Sequence, residues 1–147
     1  MTKIVKIVSL IILNPIIIFG LYIISHGHLT PGGGFQGGVI IASATALVLV
    51  VFKDSVRLSR GLFSLFECLG LTFFILLAFF GIFKNTFFYN FLANTAGFLG
   101  KTIYFGVNPG YINSGGVIPL ANIAVGVEVV AALSAVVILM IKQKNYD

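Results

Sequence analysis

Four apolar stretches, separated by polar, glycine-rich or aromatic segments, constrain this chain more than any other feature. They run roughly over residues 4–24, 37–52, 61–83 and 118–141. A helix needs about 20 apolar residues to cross the hydrocarbon core of a bilayer, where every backbone polar group must be bonded internally. We therefore predict a single all-α integral membrane domain over residues 1–147, with four transmembrane helices.

The composition excludes most soluble functions. Hydrophobic residues make up 59% of the chain and charged residues only 9%, whereas soluble domains are about a quarter charged. A chain of 147 residues cannot bury so much apolar surface in one soluble core, so lipid or neighbouring subunits must cover it. The net charge of +5 does not indicate a nucleic-acid partner, because the basic residues sit in flanks and turns without interleaved aromatics.

The basic residues predict an orientation. The first stretch follows lysines, as in a signal peptide, but it is too long and lacks a small-x-small cleavage site, so we expect it to be retained as an anchor. With four spans, seven basic residues fall on the side of both termini and only Lys84 and Lys101 on the other. This bias predicts cytoplasmic termini in a cell membrane. The seven are Lys3, Lys6, Lys53, Arg57, Arg60, Lys142 and Lys144.

A glycine-rich segment between the first two apolar stretches is too rich in glycine for an ordinary helix. Glycine permits positive φ and close backbone approach, and proline fixes φ, so we predict a shaped external loop that continues into the second span as a helical end or re-entrant backbone. The glycines also fit the pattern of a dinucleotide-binding loop, but no strand precedes them and no acidic residue follows at the required distance. The loop motif comprises Pro31, Gly32, Gly33, Gly34, Phe35, Gln36, Gly37 and Gly38.

A second external segment, residues 84–117, is aromatic and contains several asparagines. Connections of this length without structure of their own are uncommon. We expect an interfacial helix followed by a turn at Asn108-Pro109-Gly110.

Two histidines, His26 and His28, flank the start of the glycine-rich loop. A zinc site needs three or four ligands, and the chain has no third histidine, so we predict neither a metal nor a cofactor. Two interpretations stay open. The histidines cap and hydrogen-bond the loop, which is the favoured one, or they take part in external proton or ion access.

Two acidic residues lie within the predicted spans. Glu128 is about ten residues from either end of the fourth stretch, where an ionised carboxylate is costly unless it is paired or hydrated. It either binds protons or sodium or joins a neighbouring subunit through a buried hydrogen bond. Glu67 lies closer to the interface, where water can reach it, and a structural role is favoured there.

Small residues recur every fourth position in the second stretch, at Gly34, Gly38, Ala42 and Ala46. On a helix they form one smooth stripe for the close approach of another helix, either within this chain or in a neighbouring subunit. No span has a polar face wide enough to enclose a pathway by itself, which favours a subunit over a solitary transporter.

The glycine-rich segment from His26 to Gly38 continues into Val39-Ile40-Ile41-Ala42. These residues resemble the signature of the MnhB/MrpB-like subunits of the Mrp-type multisubunit sodium/proton antiporters. The resemblance extends over essentially the whole chain and implies a non-catalytic membrane subunit of a large complex that exchanges sodium for protons. It implies other membrane subunits as partners.

The fourth stretch departs from that pattern. Many MnhB/MrpB-like subunits resemble Phe-Asp-x-Gly-Val at its start, whereas this chain reads Asn122-Ile123-Ala124-Val125-Gly126-Val127-Glu128, with the acid one turn later. This region resembles the Mrp-derived modules of archaeal membrane-bound hydrogenase-type respiratory complexes. Two functions stay open: a subunit with Glu128, and Glu67 with it, near an ion route, or a structural scaffold with transport in sister subunits. An autonomous carrier is disfavoured because no internal repeat is present.

Overall fold

The computed structural model describes residues 2–52, 59–84, 86–95, 97–103 and 110–143. Four helices account for most of them: α1 (Lys3–Ser25), α2 (Gly33–Val51), α3 (Arg60–Phe80) and α4 (Ile118–Gln143). A short 3₁₀ helix, Gly81–Lys84, extends α3. Each of the four is long and apolar enough to cross a membrane, and the described ranges contain no strand. The all-α membrane fold predicted from the sequence is confirmed.

The helices pack in the order α1, α2, α4, α3. The α2 helix contacts α1 and α4, α4 contacts α2 and α3, and α1 touches α4 only lightly. In the most apolar part of each helix, 39% of the residues of α2 and of α4 are buried, compared with 17% in α1 and 22% in α3 with its extension. The inner pair α2 and α4 therefore forms the core, and the outer helices leave most of their apolar side chains to lipid or to other subunits.

The start of α2 differs from the prediction. The helix begins at Gly33, four residues before the predicted start at Gly37, so residues 33–38 of the glycine-rich segment form its first turns. Of the two forms expected for this segment, it takes the helical one. Within this segment, φ is positive at Gly32 (+93°) and Gly33 (+39°), where the chain turns into the helix.

The connection between α3 and α4 also differs. Its described residues form turns rather than the predicted interfacial helix, and Asn108 and Pro109 of the expected turn lie outside the described residues. The chain folds back along α3: the Phe88 amide donates to the Ala78 carbonyl at 3.2 Å, and its ring lies 5.4 Å from that of Phe74. Aromatic contacts with α3, rather than the hydrogen bonds of an interfacial helix, therefore stabilise this connection.

The same connection holds the beginning of α4. Asn90 donates through Nδ2 to the Gly115 carbonyl at 2.9 Å, and its Oδ1 accepts from the Val117 amide at 2.8 Å. The Gly116 amide donates to the Leu99 carbonyl at 2.8 Å. Because the first amides of a helix have no partner within it, these bonds satisfy groups that lipid could not.

Candidate functional site

The glycine-rich loop is a tight turn closed by its own backbone. His26 caps α1, the Leu29 amide donates to the His26 carbonyl at 2.9 Å, and the Gln36 amide donates to the Gly32 carbonyl at 3.2 Å. Gly32 has a φ of +93°, a backbone conformation in which a residue with a side chain is strained. The loop therefore delivers α2 to a defined position beside α1.

The glycines that follow allow α2 to touch a helix on each side. A Cβ on Gly37 would lie 2.6 Å from the Gly20 carbonyl oxygen of α1, and one on Gly38 would lie 3.0 Å from the Gly126 oxygen of α4. Real Cβ atoms do not approach a backbone oxygen at the first of these distances, so α1 and α2 could not cross here with any larger residue. The small residues thus serve packing within this chain.

Asn122 of α4 lies in a cradle of glycines, which we call the glycine junction. A Cβ on Gly34 would overlap the Asn122 carbonyl oxygen. A Cβ on Gly33 would lie 2.9 Å from the Asn122 Oδ1 atom, and one on Gly27 would lie 2.9 Å from its Nδ2 atom. This Nδ2 atom is buried without a hydrogen-bond partner in the described part of the chain. The junction comprises Gly27, Gly33, Gly34 and Asn122.

The two histidines at the start of the glycine-rich loop make contacts with different parts of the chain. His26 stacks on the Tyr22 ring with centroids 4.1 Å apart, and its Nδ1 atom lies 3.0 Å from the Tyr22 carbonyl oxygen. The Nε2 atom of His28 lies 3.3 Å from the Tyr111 carbonyl oxygen and 3.3 Å from the Ser114 hydroxyl. The first histidine therefore stabilises the end of α1, and the second joins the loop to the segment before α4. Among the residues that the structure describes, no three potential metal ligands cluster.

Glu128 lies at a close approach of α3 to α4. A Cβ on Gly70 would lie 3.0 Å from both the amide nitrogen and the Cβ of Glu128, and 2.9 Å from the Ala124 carbonyl oxygen. Glu67 precedes Gly70 by about one helical turn on α3. Both side chains are half-buried, and within the described ranges neither has an ion-pair or hydrogen-bond partner.

The sequence analysis did not predict the roles of three residues: the close packing at Gly70 and Asn122, and the hydrogen bonds of Asn90. A polar amide within an otherwise apolar span is a recognisable signal for a helix contact, and Asn122 carries it. Gly70 stands among bulky apolar residues of α3, which is a weaker signal for a close crossing. The role of Asn90 depends on bonds across 25 and 27 residues, which no local pattern indicates.

The chain is similar in sequence to proteins of a known family. Residues 4–135 match the family described as a domain related to the MnhB subunit of the Na⁺/H⁺ antiporter. An uncharacterised protein of Methanocaldococcus jannaschii is 34% identical over 145 residues, which cover 97% of this chain and 53% of that protein.

Shorter matches join the chain to bacterial relatives. A protein of Staphylococcus epidermidis named antiporter subunit mnhB2 is 41% identical over 49 residues, covering 33% of this chain and 35% of the relative. A protein of the same name from Staphylococcus aureus is 37% identical over 50 residues, covering 34% of this chain and 36% of the relative. The chain therefore spans about half the length of its archaeal relative, and it belongs to the family of domains related to the MnhB subunit of Na⁺/H⁺ antiporters.

Proposed function

We propose that this chain is a membrane subunit of a multisubunit sodium/proton antiporter complex, in which it contributes to ion translocation and to assembly. Its family and the names of its staphylococcal relatives support this proposal. Its partners are the other membrane subunits of the complex, and its cargo is sodium and protons. The chain carries out no catalytic step itself.

Glu128 carries the proposal for ion translocation. It lies ten residues into α4, within a span where a carboxylate is retained only at a cost. It has no cationic partner among the described residues, and its side chain is half-buried. A carboxylate in this state requires a proton, a sodium ion, water or a group on another subunit to offset the cost of leaving water.

Access to this carboxylate comes from outside the chain. The backbone nitrogen and Cβ of Glu128 lie against Gly70 of α3, and the half-buried side chain has no polar partner among the described residues. Apart from Glu67, the middle of the four helices contains no other charged residue. The route is therefore shared with a sister subunit, which supplies the remaining polar groups.

The glycine junction supports the assembly part of the proposal. It sets the position of α4 through backbone contact with α2, and α4 carries Glu128 six residues after Asn122. A shift of α4 at the junction would therefore disturb the fit of the chain to a partner subunit.

A structural scaffold is the second candidate. The close backbone packing at Gly70 favours it, because a helix contact of this kind is stable without any contribution from the carboxylate. In that case Glu128 bonds to a neighbouring subunit, and transport takes place entirely in sister subunits.

Replacement of Glu128 separates the two candidates. Glu128→Gln keeps the shape and hydrogen-bonding capacity but removes the charge, so ion flux in reconstituted vesicles should fall by about ten-fold or more while assembly is retained. Glu128→Asp should retain part of the flux. Glu67→Gln serves as the matched control and should have a smaller effect. Unchanged flux in Glu128→Gln, at equal assembly, would favour the scaffold.

We also infer that both termini are cytoplasmic, from the distribution of basic residues. In a Cys68→Ser background, an impermeant thiol reagent applied to intact cells should label Thr30→Cys and not Lys144→Cys. Labelling of Lys144→Cys alone would reverse the orientation.

A further inference from the structure

A carboxamide lies at the middle of α1, one of the two outer helices. Asn14 is eleven residues from each end of this span, which places it about 16 Å from either end at 1.5 Å per residue. Its side chain is exposed. A carboxamide offers two N–H donors and a carbonyl acceptor, and the hydrocarbon core of a bilayer has no group that can bond to them.

Other polar side chains in the same pair of helices are bonded within their own helix. The Ser9 hydroxyl donates to the Val5 carbonyl at 2.8 Å, and the Ser43 hydroxyl donates to the Ile40 carbonyl at 2.6 Å. Within the described part of the chain, the Asn14 carboxamide makes no such hydrogen bond. Its partner must therefore come from outside this chain.

The next residue along the chain creates a second need for a hydrogen bond. Pro15 lies inside α1 and has no N–H, so the Ile11 carbonyl lacks its usual donor four residues later. Ile11 is 66% exposed, and Pro15 is exposed as well. Carbonyls freed by proline within a membrane are satisfied by neighbouring helices, by side chains or by water. An amide and a carbonyl, one helical turn apart, therefore need partners at the centre of the span.

The face of α1 that carries Asn14 is left open by the rest of the chain. The contact of α1 with α2 is made elsewhere, where Gly20 and Ile24 meet Gly37. Five exposed apolar residues share the face of Asn14 at helical spacing, and we call these six residues the Asn14 stripe. The five are Ile7, Leu10, Ile11, Ile18 and Leu21.

We propose that the Asn14 stripe is the contact surface for a transmembrane helix of a sister subunit, and that this helix carries a hydrogen-bonding side chain at the depth of Asn14. The inference rests on the proposed function, which places sister subunits beside this chain. Lipid would cover the apolar residues of the stripe equally well, but acyl chains would bond neither the amide nor the Ile11 carbonyl. The amide is therefore the feature that favours protein over lipid.

The chemistry of the two groups also limits the side chain that the partner helix supplies. The Ile11 carbonyl needs a donor, and the Asn14 carboxamide bonds to both donors and acceptors. Serine, threonine, asparagine and glutamine provide both, and such residues hydrogen-bond across helices in membranes. One of them on the partner helix would satisfy this site.

The proposal is tested on the tagged chain, purified in mild detergent together with its native partner subunits. Asn14→Leu suits lipid better than the parent does, so the chain itself should insert and accumulate normally. It should retain about three- to ten-fold less of the contacting subunit by quantitative mass spectrometry, as expected for the loss of one or two hydrogen bonds between helices. Equal retention by Asn14→Leu and the parent would overturn the proposal.

Ser43→Ala is the matched control for this measurement. It also removes an exposed polar side chain from a span, but the Ser43 hydroxyl already bonds to its own helix. This variant should retain every subunit as the parent does.

A crosslinking measurement leaves Asn14 in place. A photoreactive benzoylphenylalanine replaces Ile18, which lies on the stripe and is 67% exposed, and the complex is irradiated in native membranes. An adduct with a sister subunit is expected. Adducts with lipid only, or with a second copy of this chain, would overturn the inference while sister subunits still co-purify. If no other subunit co-purifies with the parent, the proposed function fails and this inference fails with it.

Discussion

The α4 helix is packed closely against α2 on one face and against α3 on another, and the two contacts have different roles. Toward α2, α4 presents Asn122 and Gly126, and the glycines of α2 bring the two backbones together with no charged group present. Toward α3, the backbone of Glu128 lies against Gly70, and Glu128 is the only acidic residue of α4. The first face therefore fixes the position of α4, and the second holds a carboxylate at that position.

The largest loss of stability and assembly is expected at the contact between α2 and α4, where no space is left for a side chain. Gly34→Val places a β-branched side chain on the Asn122 carbonyl, which costs about 3 kcal/mol or more and should remove the chain from the purified complex. Gly61→Val is the control, because a Cβ there meets only the Ser59 hydroxyl at 3.6 Å. Normal recovery of Gly34→Val in the complex, measured by quantitative immunoblot, would show that the junction is not needed.

A smaller loss of stability is expected at the contact between α3 and α4. Gly70→Ala forces α3 away from Glu128, at a cost of about 1–3 kcal/mol. The complex should still assemble, with a lower thermal midpoint and with reduced ion flux because the carboxylate is displaced. A thermal midpoint equal to that of Gly61→Ala would contradict the close contact.

The two hydrogen bonds of Asn90 link the α3–α4 connection to the start of α4, and the loss of stability should increase with the number of these bonds removed. Asn90→Leu removes both bonds and leaves the Val117 amide without a partner, which costs about 2 kcal/mol, whereas Asn90→Asp keeps the acceptor and should cost about half as much. Hydrogen exchange of residues 114–118 should accelerate in the same order. Equal exchange in both variants would mean that the side chain does not hold α4.

The mildest change is expected at His26. His26→Phe keeps the stacking on Tyr22 and removes the contact with its carbonyl oxygen, so stability should fall by about 0.5–1.5 kcal/mol and ion flux should be unchanged. A strong loss of flux in assembled complexes would instead assign this histidine to ion access.

The four spans could be predicted because length and apolarity suffice for a helix in lipid. The sequence left open whether the glycines before the second span form a helical end or re-entrant backbone. Glycine disfavours a helix on its own, and the close contact of Gly34 with α4 accompanies the helical form that the segment takes. The return of Phe88 onto α3 and the bonds of Asn90 depend on distant residues, so local patterns could not indicate them. At the candidate site, Glu128 was recognised from the cost of its charge, but its contact with Gly70 required the structure.

If the two faces of α4 perform separable tasks, one paired measurement should divide them. Gly38→Ala disturbs the α2 face, where its Cβ would lie 2.8 Å from that of Val129, and Glu128→Gln alters the α3 face. Assembly and sodium flux per assembled complex are measured for both variants in reconstituted vesicles. We predict reduced assembly with normal flux per complex for Gly38→Ala, and normal assembly with strongly reduced flux for Glu128→Gln. Normal flux per complex in Glu128→Gln, or loss of assembly in that variant alone, would contradict this division of tasks.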